Sequence, residues 1–266
     1  MKGTGIFMNK RIFLCEDNID GIFTAVYLAW GSKLGHSNVK LEELDRQNRY
    51  SNLELFSEYV TVETDSKLAL KVSKAIMDKI SRDAYEMVCL AALSDYPGKA
   101  DLIYRFLVLG FHAGAEITGH LSNETVNTVF KLSNNVSREQ HHLLGFVRFS
   151  EQESGFLLAA IQPKSNVLSL LAPHFSDRLP QERFVIYDRK RNTAVLHIPG
   201  KPWILAGVSK EDADRLREHT SGEHEYADLW KIFVQNIAIM QRLNPNLQRN
   251  NLPLHFRKNM TEFMDE

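Results

Sequence analysis

The feature that most constrains the fold of this 266-residue chain is a segment at residues 141–197. A helical pattern at residues 165–179 divides it in two, because apolar side chains recur there at the period of an α-helix. Runs in which apolar and polar residues alternate, as they do in strands, stand on both sides of that pattern. These runs occupy residues 145–149, 156–161, 184–187 and 194–198. The segment therefore predicts a central layer with the order strand, strand, helix, strand, strand.

The chain before this layer is predicted to be mainly helical, with a small β-α unit at its start. An apolar run at residues 11–15 predicts a strand, and apolar residues at helical spacing over 23–30 predict the helix after it. A second strand is predicted at 56–62, and from Thr64 to His141 every period is helical.

The end of the chain is predicted to form one long helix and a short basic tail. Apolar side chains recur at spacings of four, three, four and three from Tyr226 to Met240, which gives this helix one apolar seam. The predicted fold class is α+β, with the C-terminal helix packed across the other elements. A mainly helical part is predicted at 1–143 and an α/β part at 144–266, and the same pattern is compatible with one continuous domain.

The charge of the chain is nearly balanced, so any site for an anion must be a local patch. The formal net charge is −1, but residues 141–203 hold eight lysines and arginines against five acidic residues, and residues 230–266 hold five against three. The two cysteines, Cys15 and Cys89, lack the spacing of a metal site, which favours a reducing, cytoplasmic compartment. No run of about 18 apolar residues predicts a membrane segment.

One group of candidate site residues lies in the predicted central helix. His174, Asp177 and Arg178 are spaced i, i+3 and i+4, so they share one helix face. An imidazole, a carboxylate and a guanidinium in one place suit phosphate binding, or acid/base chemistry by His174 and Asp177. The alternative is an intrahelical ion pair with a purely structural role.

The second group is basic. Three successive cations stand at a predicted hairpin tip after Asp188, and they suit contact with a phosphodiester backbone, although a solvated basic loop is the alternative. Further arginines lie at the start of the central layer and in the tail. The predicted phosphate-binding residues outside the central helix are Arg148, Arg189, Lys190, Arg191, Arg249 and Arg257.

No motif in the chain indicates a cofactor or a resident metal. GxGxxG, GxxxxGK[ST], HExxH and GxSxG are all absent. The adjacent His141 and His142 point about 100° apart on a helix, so they do not form a pair of ligands for one ion. We therefore predict neither a cofactor nor a resident metal.

Three blocks of the sequence resemble a known family. They are FLCEDNIDGIFTAVYLAW at 13–30, GFVRF through PKSNVLSLLAPHFSDRLPQERFVIYDRKR at 145–191, and LWKIFVQNIAIMQRLNPNLQRNNLP at 229–253. In this order they resemble bacterial DNA-metabolism, or DNA-repair, proteins of otherwise unknown function. In that family the domain stands alone or precedes a uracil-DNA-glycosylase-like module, and it often accompanies a radical-SAM protein with a helix-hairpin-helix DNA-binding element. The chain resembles the stand-alone form, so uracil excision is not implied, and the resemblance supplies no catalytic residues.

These observations leave three hypotheses. The leading one is an accessory protein of bacterial DNA repair or modification that binds nucleic acid or a nucleotide through a local basic surface. The second is a nucleic-acid-processing enzyme that uses His174 and Asp177 as acid and base. The third is an interaction module whose C-terminal helix and tail dock the radical-SAM partner that the resemblance implies.

Overall fold

The structure is a computed structural model, and it describes residues 10–44, 54, 57–152, 155–219, 252–257, 260 and 263. Its contacts divide the chain into two compact units, residues 1–137 and 138–266. The predicted α+β class is confirmed. The predicted C-terminal helix at 226–240 lies outside the described residues. None of the described helices combines the length and the apolar character that a membrane crossing needs.

The first unit is built on a parallel sheet of three strands in the order β2-β1-β3. The strands are β1 (Lys10–Cys15), β2 (Val39–Glu43) and β3 (Ser57–Thr61). Because the strands are parallel, their carboxyl ends meet at one edge of the sheet. The helices that follow them are α1 (Ile19–Gly31), α2 (Ser66–Lys79), α3 (Arg82–Leu93) and α4 (Lys99–Ala113). A further helix, α5 (Glu124–Phe146), begins in this unit and continues past its boundary.

Side-chain caps explain where the helices of the first unit begin. Asn18 accepts a hydrogen bond from the Gly21 amide at 2.7 Å, and Asp65 accepts one from the Lys67 amide at 2.7 Å. Ser81 likewise accepts from the Ala84 amide at 3.0 Å, before α3. Each cap satisfies an amide that has no partner inside the helix. Between the elements lies one apolar core, whose fully buried members include Ile22, Phe23, Ile76, Ile103, Phe106 and Leu107.

The second unit is built on a five-stranded sheet in the order β4-β5-β6-β7-β8. Its strands are β4 (Ser150–Glu151), β5 (Leu157–Ile161), β6 (Phe184–Asp188), β7 (Thr193–His197) and β8 (Ile204–Gly207). The helix α6 (Leu168–Arg178) connects β5 to β6, which are parallel, and the other pairs are antiparallel. Two short helices complete the described part, α7 (Lys210–His219) and α8 (Leu254–Arg257).

The first strand predicted for the central layer, at 145–149, is wrong. The helix α5 continues to Phe146, and only Ser150 and Glu151 pair with β5. Phe146 is four residues after His142, so both rings lie on one helix face, and each has its centroid 5.5 Å from the ring of the buried Phe256. Packing against this ring favours the helix over the strand that the local alternation suggests.

Candidate functional site

The two parallel strands of the second unit bring two loops together at one edge of the sheet. Ile161, the last residue of β5, is paired with Asp188, the last residue of β6. The Arg189 amide donates a hydrogen bond to the Ile161 carbonyl oxygen at 3.0 Å, which joins the loops after the two strands. Four cations lie in these loops, and we call them the basic edge: Lys164, Arg189, Lys190 and Arg191.

A buried carboxylate shapes the turn that carries three of these cations. Asp188 is 0% exposed, and its Oδ1 accepts hydrogen bonds from the amides of Lys190 at 2.8 Å and Arg191 at 3.3 Å. Its Oδ2 forms an ion pair with the Arg191 guanidinium at 2.8 Å. An aspartate that binds the amides after it stabilises a tight turn, and the turn closes at Asn192 with a positive φ of 49°. The predicted hairpin tip after β6 is therefore a well-defined turn.

Two cations of this turn bind the neighbouring loop at 162–165. The Arg191 guanidinium donates to the carbonyl oxygens of Pro163, at 3.3 Å, and Lys164, and the Lys190 ammonium donates to the Lys164 carbonyl oxygen at 3.1 Å. Arg191 is half-buried, so much of its hydrogen-bonding capacity serves the fold. Lys164 and Lys190 are exposed, and they carry the charge that this edge presents to solvent.

The amides of the same loop are held from the other side by a second buried carboxylate. Glu139 of α5 is 8% exposed and accepts hydrogen bonds from the amides of Lys164 at 2.6 Å and Ser165 at 2.8 Å. The loop at 162–165 is thus clamped, with its amides on Glu139 and its carbonyl groups on Lys190 and Arg191. Bonds of this kind between charged groups and the backbone are stronger than neutral ones.

Sequence reasoning missed both Glu139 and Lys164. A signal for Glu139 was present, because it follows Val136 by three residues and precedes Leu143 by four, and both of those residues are buried. An acidic residue on the apolar face of a helix must have a partner. Lys164 offered no such signal, since its place beside Lys190 depends on the pairing of β5 with β6.

The charges of the basic edge are unevenly exposed. Two carboxylates that bind the backbone of these loops, Asp188 and Glu139, are buried. Lys164 and Lys190 are exposed, and the Lys190 ammonium also binds the Lys164 carbonyl oxygen. The edge therefore presents positive charge outward, which is the arrangement needed to hold a phosphate group.

The structure does not bring the residues of the central helix to this edge. His174, Asp177 and Arg178 are exposed on α6, and no ion pair joins them among the described residues. Because α6 runs from the carboxyl end of β5 to the start of β6, its last turn lies toward the opposite edge of the sheet. His174 instead has its ring edge-on to Phe175, with centroids 5.1 Å apart.

Two of the remaining predicted arginines, Arg148 and Arg257, are described. Arg148 is half-buried, and it donates hydrogen bonds to the carbonyl oxygens of Gly145 at 2.8 Å and Val147 at 3.3 Å at the end of α5. The guanidinium of Arg257 lies 4.7 Å from the centroid of the Phe263 ring. Arg249 lies outside the described residues. Within the described part of the chain, no group of three or more His, Cys, Asp or Glu side chains is arranged to hold a metal ion.

The fold and this edge define an α+β protein with a parallel strand pair that ends in a basic loop cluster. Residues 97–262, more than half of the chain, match the domain of unknown function DUF4130. The chain belongs to this family. The match leaves out β1, β2 and β3 of the first unit.

Two solved structures are similar to the chain over much of its length. The first is RecJ in complex with Mn²⁺ from Thermus thermophilus, at 9% identity and a TM-score of 0.32, with 79% of this chain and 51% of that chain covered. The second is the DHH domain of a member of a family of ribosomal proteins, at 12% identity and a TM-score of 0.28, with 73% and 74% covered. The chain thus spans about half the length of the RecJ chain, and at these TM-scores neither likeness carries an argument. No curated protein matches the chain.

Proposed function

We propose that this protein is an accessory protein of DNA repair or modification that binds nucleic acid through the basic edge of its second unit. The observation that carries the proposal is the convergence of four cations after the carboxyl ends of β5 and β6, where the two carboxylates that bind the loops are buried. In open α/β sheets, ligands bind outside the carboxyl ends of the parallel strands, and the basic edge lies at that end of the parallel pair β5 and β6. Lysine and arginine side chains in such a place bind phosphate groups and supply most of the affinity for a nucleic-acid backbone.

The clamp on the loop at 162–165 supports the proposal. It fixes the backbone that carries Lys164 next to the turn that carries Lys190, whose ammonium binds the Lys164 carbonyl oxygen, so this part of the edge is ordered before a ligand arrives. A site that is already ordered loses less entropy when it binds. Two parts of the proposal rest on the family resemblance of the sequence blocks. They are the role in DNA repair and the radical-SAM partner.

The test is DNA binding by the purified chain, measured by fluorescence anisotropy over a series of salt concentrations with single-stranded, duplex and uracil-containing oligonucleotides. For the variant K164Q/K190Q we expect weaker binding and a slope of log K against log salt that is smaller by about two on duplex DNA, since each phosphate contact contributes about 0.9. The matched control is R183Q/K201Q. Both of its residues are exposed and lie at the opposite edge of the same sheet, and the change in net charge is identical.

Equal binding by wild type and K164Q/K190Q would contradict the proposal, as would an equal loss in R183Q/K201Q. The variant R178A tests the face of α6 that the sequence predicted. Weaker binding in R178A with unchanged binding in K164Q/K190Q would move the nucleic-acid site to that face.

A further inference from the structure

The outward face of α2 in the first unit combines positive charge with exposed apolar side chains. Lys67, Lys71 and Lys74 are exposed and spaced i, i+4 and i+7, so they form one row along the helix. Leu70 and Met77 form a second row beside them, with 55% and 40% of their surfaces exposed. We call these five residues the lysine face. The opposite side of α2 is buried in the core of the unit through Ala69, Val72 and Ile76.

The lysines of this face are not neutralised by ion pairs within the described residues. Among the described residues, no carboxylate forms an ion pair with any of the three lysines. The Lys71 ammonium lies 5.4 Å from the ring centroid of Tyr27 on α1, which holds it beside that helix. One acidic residue, Asp78, continues the row, so three cations face solvent against one carboxylate.

The apolar row indicates what kind of partner fits. Leu70 and Met77 lie two turns apart on one side of the lysine row, and exposed apolar side chains at this spacing suit the seam of a second helix, to which methionine adapts its shape. A row of lysines next to an apolar row is complementary to a helix that carries acidic and apolar rows of its own.

We propose that the lysine face docks an acidic amphipathic helix of a partner protein. The apolar row of that helix packs on Leu70 and Met77, and its glutamate or aspartate row pairs with Lys67, Lys71 and Lys74. This site lies in the first unit and is independent of the basic edge.

The test uses the full chain and a fluorescein-labelled synthetic helix of about 18 residues, or five turns. The peptide carries leucines at i, i+3, i+4 and i+7 with glutamates along one flank, and a scrambled peptide of the same composition is its control. We expect the peptide to bind in fluorescence anisotropy, and K67E/K74E to weaken binding about tenfold or more. The variant L70S/M77S should weaken it as well, since both side chains are exposed and their replacement leaves the core intact.

The matched control for charge is K79E/K131E, which reverses two exposed lysines of the same unit outside the lysine face. Equal weakening in this control, unchanged binding in K67E/K74E or L70S/M77S, or no preference over the scrambled peptide would overturn the proposal. Displacement of the peptide by oligo(dT), with binding sensitive to K67E/K74E alone, would also overturn it and assign the face to nucleic acid. Peptide binding should be unchanged in K164Q/K190Q, so this result is separable from that for the basic edge.

Discussion

Cys15 is a packed core thiol at the end of β1. It is fully buried, and its Sγ lies 3.5 Å from the Glu42 carbonyl oxygen, to which it donates. Burial, reinforced by the nearby carboxylates of Glu43 and Asp17, raises the pKa of Cys15 from 9.0 to about 12. A nucleophilic cysteine needs the opposite shift, toward a stable thiolate at neutral pH. Its position between a strand and a helix therefore reflects packing.

This raised pKa predicts a loss of stability in alkaline solution. Because the folded protein keeps the thiol protonated, the contribution of Cys15 is fully present below pH 9.0 and is lost as the pH rises toward about 12. We expect wild type to lose about 1 kcal/mol more unfolding free energy than Cys15→Ala between about pH 8 and 10, since the slope is about 1.4 kcal/mol per pH unit. Urea unfolding at both pH values measures the difference. Parallel losses in the two proteins would show that Cys15 ionises freely in the fold.

Single residues also show where sequence reasoning succeeds. The polar residues before the apolar periodic segments at the start of α1, α2 and α3 indicate where these helices begin, and Asn18, Asp65 and Ser81 among them form the caps, because a cap is a local arrangement of a side chain and the next three amides. The clamp on the loop at 162–165 was not predicted, because Glu139 and Arg191 reach it from residues 25 and 27 positions away. Contacts of this kind depend on strand pairing that no local pattern encodes.

The helix α4 begins with a cap that comes from a distant strand. Glu43, at the end of β2, accepts hydrogen bonds from the amides of Ala100 at 2.7 Å and Gly98 at 3.2 Å. Gly98 itself has a positive φ of 77°, and it contributes no side-chain cap. The carboxylate therefore satisfies the first amides of α4 and ties the helix to the sheet.

Replacing this cap should weaken the whole first unit. We expect Glu43→Ala to lower the free energy of unfolding by about 1 to 2 kcal/mol, the usual cost of a lost N-cap. Glu86→Ala is the control, since Glu86 forms an exposed ion pair with Arg82 on α3 and such pairs contribute below about 1 kcal/mol. Urea unfolding followed by circular dichroism measures both. Equal small losses of unfolding free energy in Glu43→Ala and Glu86→Ala would mean that the Glu43 hydrogen bonds do not stabilise α4.

The clamped loop allows a similar test in the second unit. Glu139→Gln keeps the shape of the side chain but removes its charge and places an NH₂ group opposite one of the two donating backbone amides, so we expect a loss of about 2 kcal/mol. The exposed Glu182→Gln serves as its control. Urea unfolding gives the loss, and anisotropy with duplex DNA should show weaker binding, because Lys164 is no longer held in place. Unchanged stability in Glu139→Gln would show that the Glu139 hydrogen bonds do not stabilise the loop.

The elements of the second unit were predicted better than their pairing. Four of the elements at 156–198 lie within three residues of their predicted bounds, because their apolar patterns are local. The strand predicted at 145–149 failed because Phe146, four residues after His142, lies on the same face of α5 and packs with it on Phe256. The basic edge combines predicted residues, Arg189 to Arg191, with the unpredicted Lys164, since only the parallel pairing of β5 and β6 brings them together.

For the whole molecule, the matched family region and the folded units have different boundaries. The match begins at residue 97, inside the first unit, and it omits the three-stranded sheet on which α4 packs. Besides the Glu43 cap, Asp101 of α4 accepts from the Leu41 amide at 3.1 Å, and Arg105 donates to the carbonyl oxygens of His36 and Val39. The apolar side of α4 is buried in the same core as α1.

A fragment of residues 97–262 should therefore expose apolar surface that the full chain buries. We expect it to bind the dye ANS and to unfold with lower cooperativity than the full chain, because α4 loses both its sheet and its cap. Size-exclusion chromatography, dye fluorescence and thermal melting measure this, and full-length Glu43→Ala controls for loss of the cap alone. A monodisperse fragment that melts cooperatively without binding dye would show that the matched region folds by itself.

The clamp on the loop at 162–165 also has a consequence for the order of folding events. Its amides are bound by Glu139 and its carbonyl groups by Lys190 and Arg191, so the loop is fixed only after both distant segments have arrived. Closing two such chain loops costs entropy that early, local contacts avoid. We therefore expect the clamp to form after the folding barrier has been crossed, so that it slows unfolding without speeding folding.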